Sequence, residues 1–153
     1  MAYDNNGLST PQFALIELLR ANVPSVQKRV YPSGERVDSK QPRITTDETT
    51  PTEIRTGIGE RFGTGMGLFY VYTFRINIFD KEPVQIRQVA DEVMMCIWKN
   101  RGYVPASPRN ADGEFLLLEV NGGSGTAINA GLGLYQRTIN VQGRWLSRST
   151  ETW

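Results

Sequence analysis

From Leu68 to Phe79 the segment LFYVYTFRINIF alternates. Tyr70, Tyr72, Phe74, Ile76 and Ile78 fall on one side, and Val71, Thr73, Arg75 and Asn77 on the other. Strict period-two patterning of this kind predicts a long strand with one buried face. A helical period follows it: Ile86, Val89, Ala90, Val93, Met94 and Ile97 share one stripe up to about Arg101. Asp80 or Glu82 can cap that helix, Pro83 suits its first turn, and Gly102 is a natural stop. Near the start of the chain, Thr10-Pro11 offers a hydroxyl cap followed by proline where a missing N–H does no harm. Phe13, Ile16 and Leu19, widened by Leu15 and Leu18, form the stripe of this first helix, and Pro24 predicts its end near Asn22.

The weaker patterns lie between and after these elements. Residues 25–56 are polar and punctuated by proline, with short β-capable pieces, KRVYP and PRITT, around a Ser-Gly turn signal. After the second helix come FLLLEV, the glycine-rich NGGSGTAINAGLG, and LYQRTINVQGRWL, in which Tyr135, Ile139, Val141 and Trp145 have one parity. That reads as a hairpin with a long connection. The order is helix, two weak strands, strong strand, helix, strand, strand, without regular βαβ alternation. It predicts an α+β fold: a mostly antiparallel sheet with two helices packed on one face and long glycine-rich loops. The 153 residues suit one domain, 1–153, with the loops 47–67 and 121–133 expected to be mobile or ordered by a partner.

Composition narrows the function. Seventeen Lys and Arg against sixteen Asp and Glu leave a net charge of +1, and the cations are spread evenly along the chain. No basic block marks a nucleic-acid surface. The single Cys96 precludes an intramolecular disulfide and fits synthesis in a reducing cytoplasm. The opening MAYDNNGLSTPQ has neither the basic nor the apolar region of a secretory signal, and no apolar run is long enough for a membrane helix, so a soluble chain without a membrane partner is expected.

Candidate chemistry is sparse. GIGERFGTGMG, Gly57 to Gly67, has five glycines in eleven residues, but it precedes a strand rather than a helix and misses the GxGxxG spacing by one. A phosphate loop needs the amides of a helix N-terminus, so this reads as a connection. With no histidine, Ser-His and Cys-His nucleophile pairs are excluded, and one cysteine leaves no zinc cluster. Asp91-Glu92 belong to a solvent-facing helix surface, and Met94, Met95 and Cys96 read as core filler. Asn110, Asp112, Gly113 and Glu119 match positions of a calcium loop, but its first position is Pro108 and a strand follows, so an Asp-Gly turn is the simpler reading. No catalytic, cofactor-binding or metal-ligating residue is assigned, and no enzyme is expected. Aromatics interleaved with arginine in FYVYTFR and GRW keep a small single-stranded nucleic-acid-binding domain as an alternative, although the tyrosine row lies on the core side.

The order PQFALIELLRANV, an early VYP, YVYTFRINIF, VQIRQVADEVMMCIW and the closing pair FLLLEV and LYQRTINVQGRW resembles the tail terminator (tail completion) proteins of long-tailed bacteriophages. The segment from Asp47 to Gly67 is long even for that loop-rich family. The resemblance implies a structural virion protein, assembled in the host cytoplasm and located in the tail or neck. It would form a homo-oligomeric ring, a hexamer, on the head-proximal end of the tail tube, with the tail-tube protein and the head–tail connector protein as partners. No cofactor and no specific nucleic-acid binding are implied. Another connector, neck or tail-tube subunit is the neighbouring alternative. Arg61, Phe62 and Met66, set among the glycines, are the candidate subunit or tube interface, because a mere spacer has little use for a guanidinium, an aromatic ring and a thioether.

Overall fold

The computed structural model describes residues 10–32, 40–48, 52–54, 61–62, 65–101, 104–105 and 113–149. Helix α1 runs from Thr10 to Asn22 and ends as the proline signal predicts, with Asn22 Nδ2 donating back to the Leu18 carbonyl at 2.9 Å. A short 3-10 turn, Pro24–Val26, and the left-handed residues Gln27 and Lys28 then reverse the chain into strand β1, Val30–Pro32. Ser25 in that turn donates through its amide and its hydroxyl to the Glu92 carboxylate, tying the turn to the second helix.

Strand β2 is Arg43–Glu48, and it accepts β1 in parallel, Val30 opposite Ile44. The pieces read as KRVYP and PRITT are these two strands. Short strands β3, Thr52–Ile54, and β4, Arg61–Phe62, both pair with the long β5, Gly65–Asp80. Helix α2 spans Pro83–Lys99, and the Asp80 carboxylate accepts from the Glu82 amide at 2.9 Å where the chain turns into it. Strands β6, Val104–Pro105, β7, Gly113–Gly123, β8, Ala127–Asn129, and β9, Leu134–Ser149, complete the chain. The sheet order is β1-β2-β5-β9-β7-β6, and every pairing except β1 with β2 is antiparallel. The fold is α+β with a mostly antiparallel sheet.

Both helices pack on one face. From α2, Ile86, Val89, Ala90, Val93, Cys96 and Ile97 join Leu15, Ile16 and Leu19 of α1 over Phe74, Ile76 and Ile78 of β5 and Ile139, Val141 and Trp145 of β9. The two periods read in the sequence are thus two sides of one core: period two supplies the floor and period 3.6 the cover. Aromatic rings run diagonally across the floor. Phe74 meets Phe115 edge-on at 6.0 Å, and Phe115 meets Trp145 at 4.8 Å. Glycine at 143 makes this possible, since a Cβ there would lie 2.8 Å from the Phe115 ring.

The other face of the sheet is not simply solvated. Asn77, 6 % exposed, donates to the Asp47 carboxylate at 3.0 Å and accepts from the Thr138 hydroxyl at 3.0 Å and from Gln136 at 3.3 Å. Asn129 of β8 extends this ladder by donating to Gln136 at 2.8 Å. Phe79, also on this face, is buried with the Arg43 guanidinium over its ring at 5.3 Å.

Candidate functional site

Strands β5 and β9 pair in unbroken register from Asp80–Tyr135 to Met66–Ser149. Among the described side chains, those of the core on β9 run from Tyr135 to Trp145. Four pairs, Phe69–Leu146 to Met66–Ser149, run past them, roughly 13 Å at 3.3 Å per residue. The candidate residues lie at this far end. Arg61 pairs with Met66, and Phe62 with Gly65, so β4 and the start of β5 fold back on each other. The glycine-rich segment read as a connection therefore contains paired backbone, and β5 begins at Gly65 rather than Leu68. The reason is tertiary: β9 is long enough to supply a partner that alternation among glycines does not reveal. The backbone brings Arg61 and Met66 together; Gly57 to Glu60, Gly63 and Thr64 lie outside the described residues.

A second surface, not foreseen in the sequence, lies between the C-terminal half of α2 and β7. Met94, Met95, Ile97, Trp98, Leu117, Leu118 and Val120, with Asp91, Arg101 and Glu119, line a groove of about 680 Å³. Three of its apolar members are open: Met95 is 52 % exposed, Trp98 61 % and Val120 41 %, over a floor of buried Ile97 and Leu118. Arg101 lies over the Trp98 ring, 3.7 Å from its centroid, and so holds the indole by a cation–π contact. Met95 is not core filler, because one residue of helix rotation turns it away from buried Cys96 and onto the surface. The signal was present, since Met95 and Trp98 are three residues apart on the side opposite Val93 and Ile97.

The hairpin formed by β7, β8 and β9 gives the third surface. The connection expected over residues 121–133 is largely structured: β7 continues to Gly123, β8 pairs with β9, and a turn at residues 130–133 joins them. Gly123 sits at the register shift between β7 and β9 with φ +150°, and a Cβ there would lie 2.3 Å from the Thr138 carbonyl oxygen. Only glycine fits at that point. The turn is closed by Gly133 N–H donating to the Asn129 carbonyl at 2.9 Å, with Gly133 at φ +67°. Ile128 and Leu132, at 65 % and 51 %, are exposed there.

These surfaces carry little reactive chemistry. Burial lifts the Cys96 thiol from its ordinary 9.0 to about 11, against a smaller lowering from Asn100, so it stays protonated and unreactive near neutral pH. Among the described residues no group of three or more His, Cys, Asp or Glu side chains could hold a metal ion. Glu119, a ligand position in the calcium-loop alternative, stands exposed on β7; residues 106–112 lie outside the described residues. Among the described residues no helix is long and apolar enough to cross a membrane.

No protein-family model and no curated protein matches the sequence. The fold does have counterparts among solved structures. One is a chain of the virion of a native gene transfer agent (GTA) particle, with a TM-score of 0.58 and 13% identity, covering 89% of this chain and 94% of that one. At such identity the likeness is one of fold, and it spans nearly the whole of both chains.

Proposed function

We propose that the chain is a structural subunit of a phage-like virion and acts by assembly rather than catalysis. The observation that carries this reading is the fold shared along nearly its whole length with a chain of a virion particle. The exposed groove and the exposed apolar hairpin support it, because a subunit built to assemble leaves such surfaces for its neighbours. Within that class the order of elements favours the tail terminator: a ring, taken here as a hexamer, on the head-proximal end of the tail tube, bound below by the tail-tube protein and above by the head–tail connector protein. In this reading Arg61, Phe62 and Met66, at the far end of the β5–β9 ribbon, contact the tube or a neighbouring subunit.

Electron microscopy of the purified protein, alone and with tail tubes, tests it. A terminator forms rings with a central hole, caps one end of the tube and stops its growth. A tube subunit would instead be incorporated along the length, and a connector would bind heads but not tubes. Sedimentation as a monomer even beside assembled tubes overturns the ring.

A further inference from the structure

Among the described residues the exposed large apolar side chains sort by position. Val84, Ile128 and Leu132 lie at one end of the subunit, where Asp80 pairs with Tyr135 and α2 begins, and Met95, Trp98 and Val120 at the other, where α2 ends. Ile128 and Leu132 of the first group flank the turn, and the second group lines a groove. Along β9 the partners of Val120 and Ile128 are Val141 and Tyr135, six residues or about 20 Å apart. Because β8 is hydrogen-bonded to β9, the turn does not reach the groove of its own copy. The match is also one of charge. Between Glu119 and Arg137 no residue is charged, so the hairpin carries no ion of its own into the groove. The groove carries Asp91 and Glu119 against Arg101, which is engaged with Trp98, whereas the turn's end exposes Lys81, Glu82 and Arg87. The groove lining is thus net negative by one charge, and the exposed groups at the turn's end are net positive by one.

We infer that the Asn129–Gly133 turn of one copy, with Ile128 and Leu132, seats in the Met95–Trp98–Val120 groove of the next. Different residues form the two halves of this contact, so it is heterologous and repeats head to tail, the kind of contact that closes into a ring. The inference rests on the assembly reading above and assigns its subunit interface.

Cysteine cross-linking decides it. Leu132→Cys and Met95→Cys are made as separate proteins, with Cys96 left in place because it is buried. Mixed and mildly oxidised, they are expected to form a pair containing one of each, while neither protein alone cross-links. The double variant should give a ladder that ends at the ring size. Leu132→Asp should raise the concentration needed for assembly about tenfold or more, with its melting temperature unchanged. Rings seen by microscopy without the mixed cross-link overturn this interface and leave the ring standing. Cross-linked pairs from either protein alone show a symmetric contact and overturn it too. Monomer under every condition, tubes included, overturns the interface and the ring together.

Discussion

The two edges of the sheet are finished in opposite ways. At one edge β1 is three residues long, ends in Pro32, and has its Val30 carbonyl held by the Arg20 guanidinium, Nε at 3.1 Å and Nη2 at 2.7 Å. The incoming chain is held similarly, with Arg29 donating to the carbonyls of Pro42 at 2.9 Å and Gln41 at 3.2 Å. Short length, proline and charge are the usual means of keeping an edge from pairing with another chain. At the other edge, among the described residues, β6 covers β7 at Glu114 and Phe115, and Leu118 N–H donates to the Arg101 carbonyl. Among the described residues no strand pairs with the outer side of the chain from Glu119 through β8, and that stretch is uncharged after Glu119. On the proposed assembly reading, the edge left open beside the groove is the one that a neighbouring chain would cover. On that reading assembly falls on the β7–β8 side, and the β1 side serves the stability of the subunit itself.

The largest effect that would break the contrast comes from one residue type at both edges. Ile44 of β2 is fully buried beside β1, whereas Ile128 of β8 is 65 % exposed. Ile44→Ala should destabilise the isolated subunit by about 2–5 kcal/mol, since the methyl groups leave a cavity in a packed core. Ile128→Ala should stay within about 0.5 kcal/mol. Equal losses in urea melts would show that the second edge is as structural as the first.

Next in size is Gly123→Ala. A β-carbon there meets the Thr138 carbonyl and must adopt a backbone conformation that L-residues avoid, so about 1–3 kcal/mol is expected. Hydrogen exchange should show the loss confined to β8 and the turn if the hairpin opens as a unit. Arg20→Ala follows. It removes a two-pronged, charge-assisted bond to a strand carbonyl, and about 1–2 kcal/mol is expected at this partly exposed site. Lysine at 20 should restore less than half of it, since an ammonium lacks the planar fork.

The same two regions show what the sequence could and could not disclose. Period signals marked β5 and α2 because each buries one face along many residues, and the cap-and-proline pattern at Thr10-Pro11 and Pro24 bounded α1. Pairing was hidden wherever it depended on a distant partner. The parallel contact of Val30 with Ile44 crosses a connection that says nothing about direction. β8 is three residues, Ala-Ile-Asn, too short for any period to show, and Arg61-Phe62 is shorter still. Asn77 and Phe79 followed the alternation expected of an outer face, yet the polar ladder and the Arg43 guanidinium bury them. The groove was missed for the opposite reason. Met95 and Trp98 are apolar, and hydrophobicity alone does not distinguish a side chain that meets its own core from one kept for a neighbour.

The smallest effect on the subunit is the sharpest test of the contrast. Ile128→Lys places on β8 the inward-barring charge that natural edges use, at a side chain already open to water. The lysine stem can lie where isoleucine lay while its ammonium remains hydrated, so the melt of the isolated subunit should move by no more than a degree or two. Assembly should respond very differently. A charge carried into an apolar groove must shed its water, and Asp91 and Glu119 on the rim offset that only if the ammonium can reach them. Ring formation, followed by sedimentation across a concentration series, should therefore weaken by about tenfold or more. The matching change on the other edge, Tyr31→Lys on β1, should leave assembly as it is. If the β1 variant disrupts rings and the β8 variant does not, the edges have been assigned the wrong way round, and the sealed side is the one that meets a neighbour.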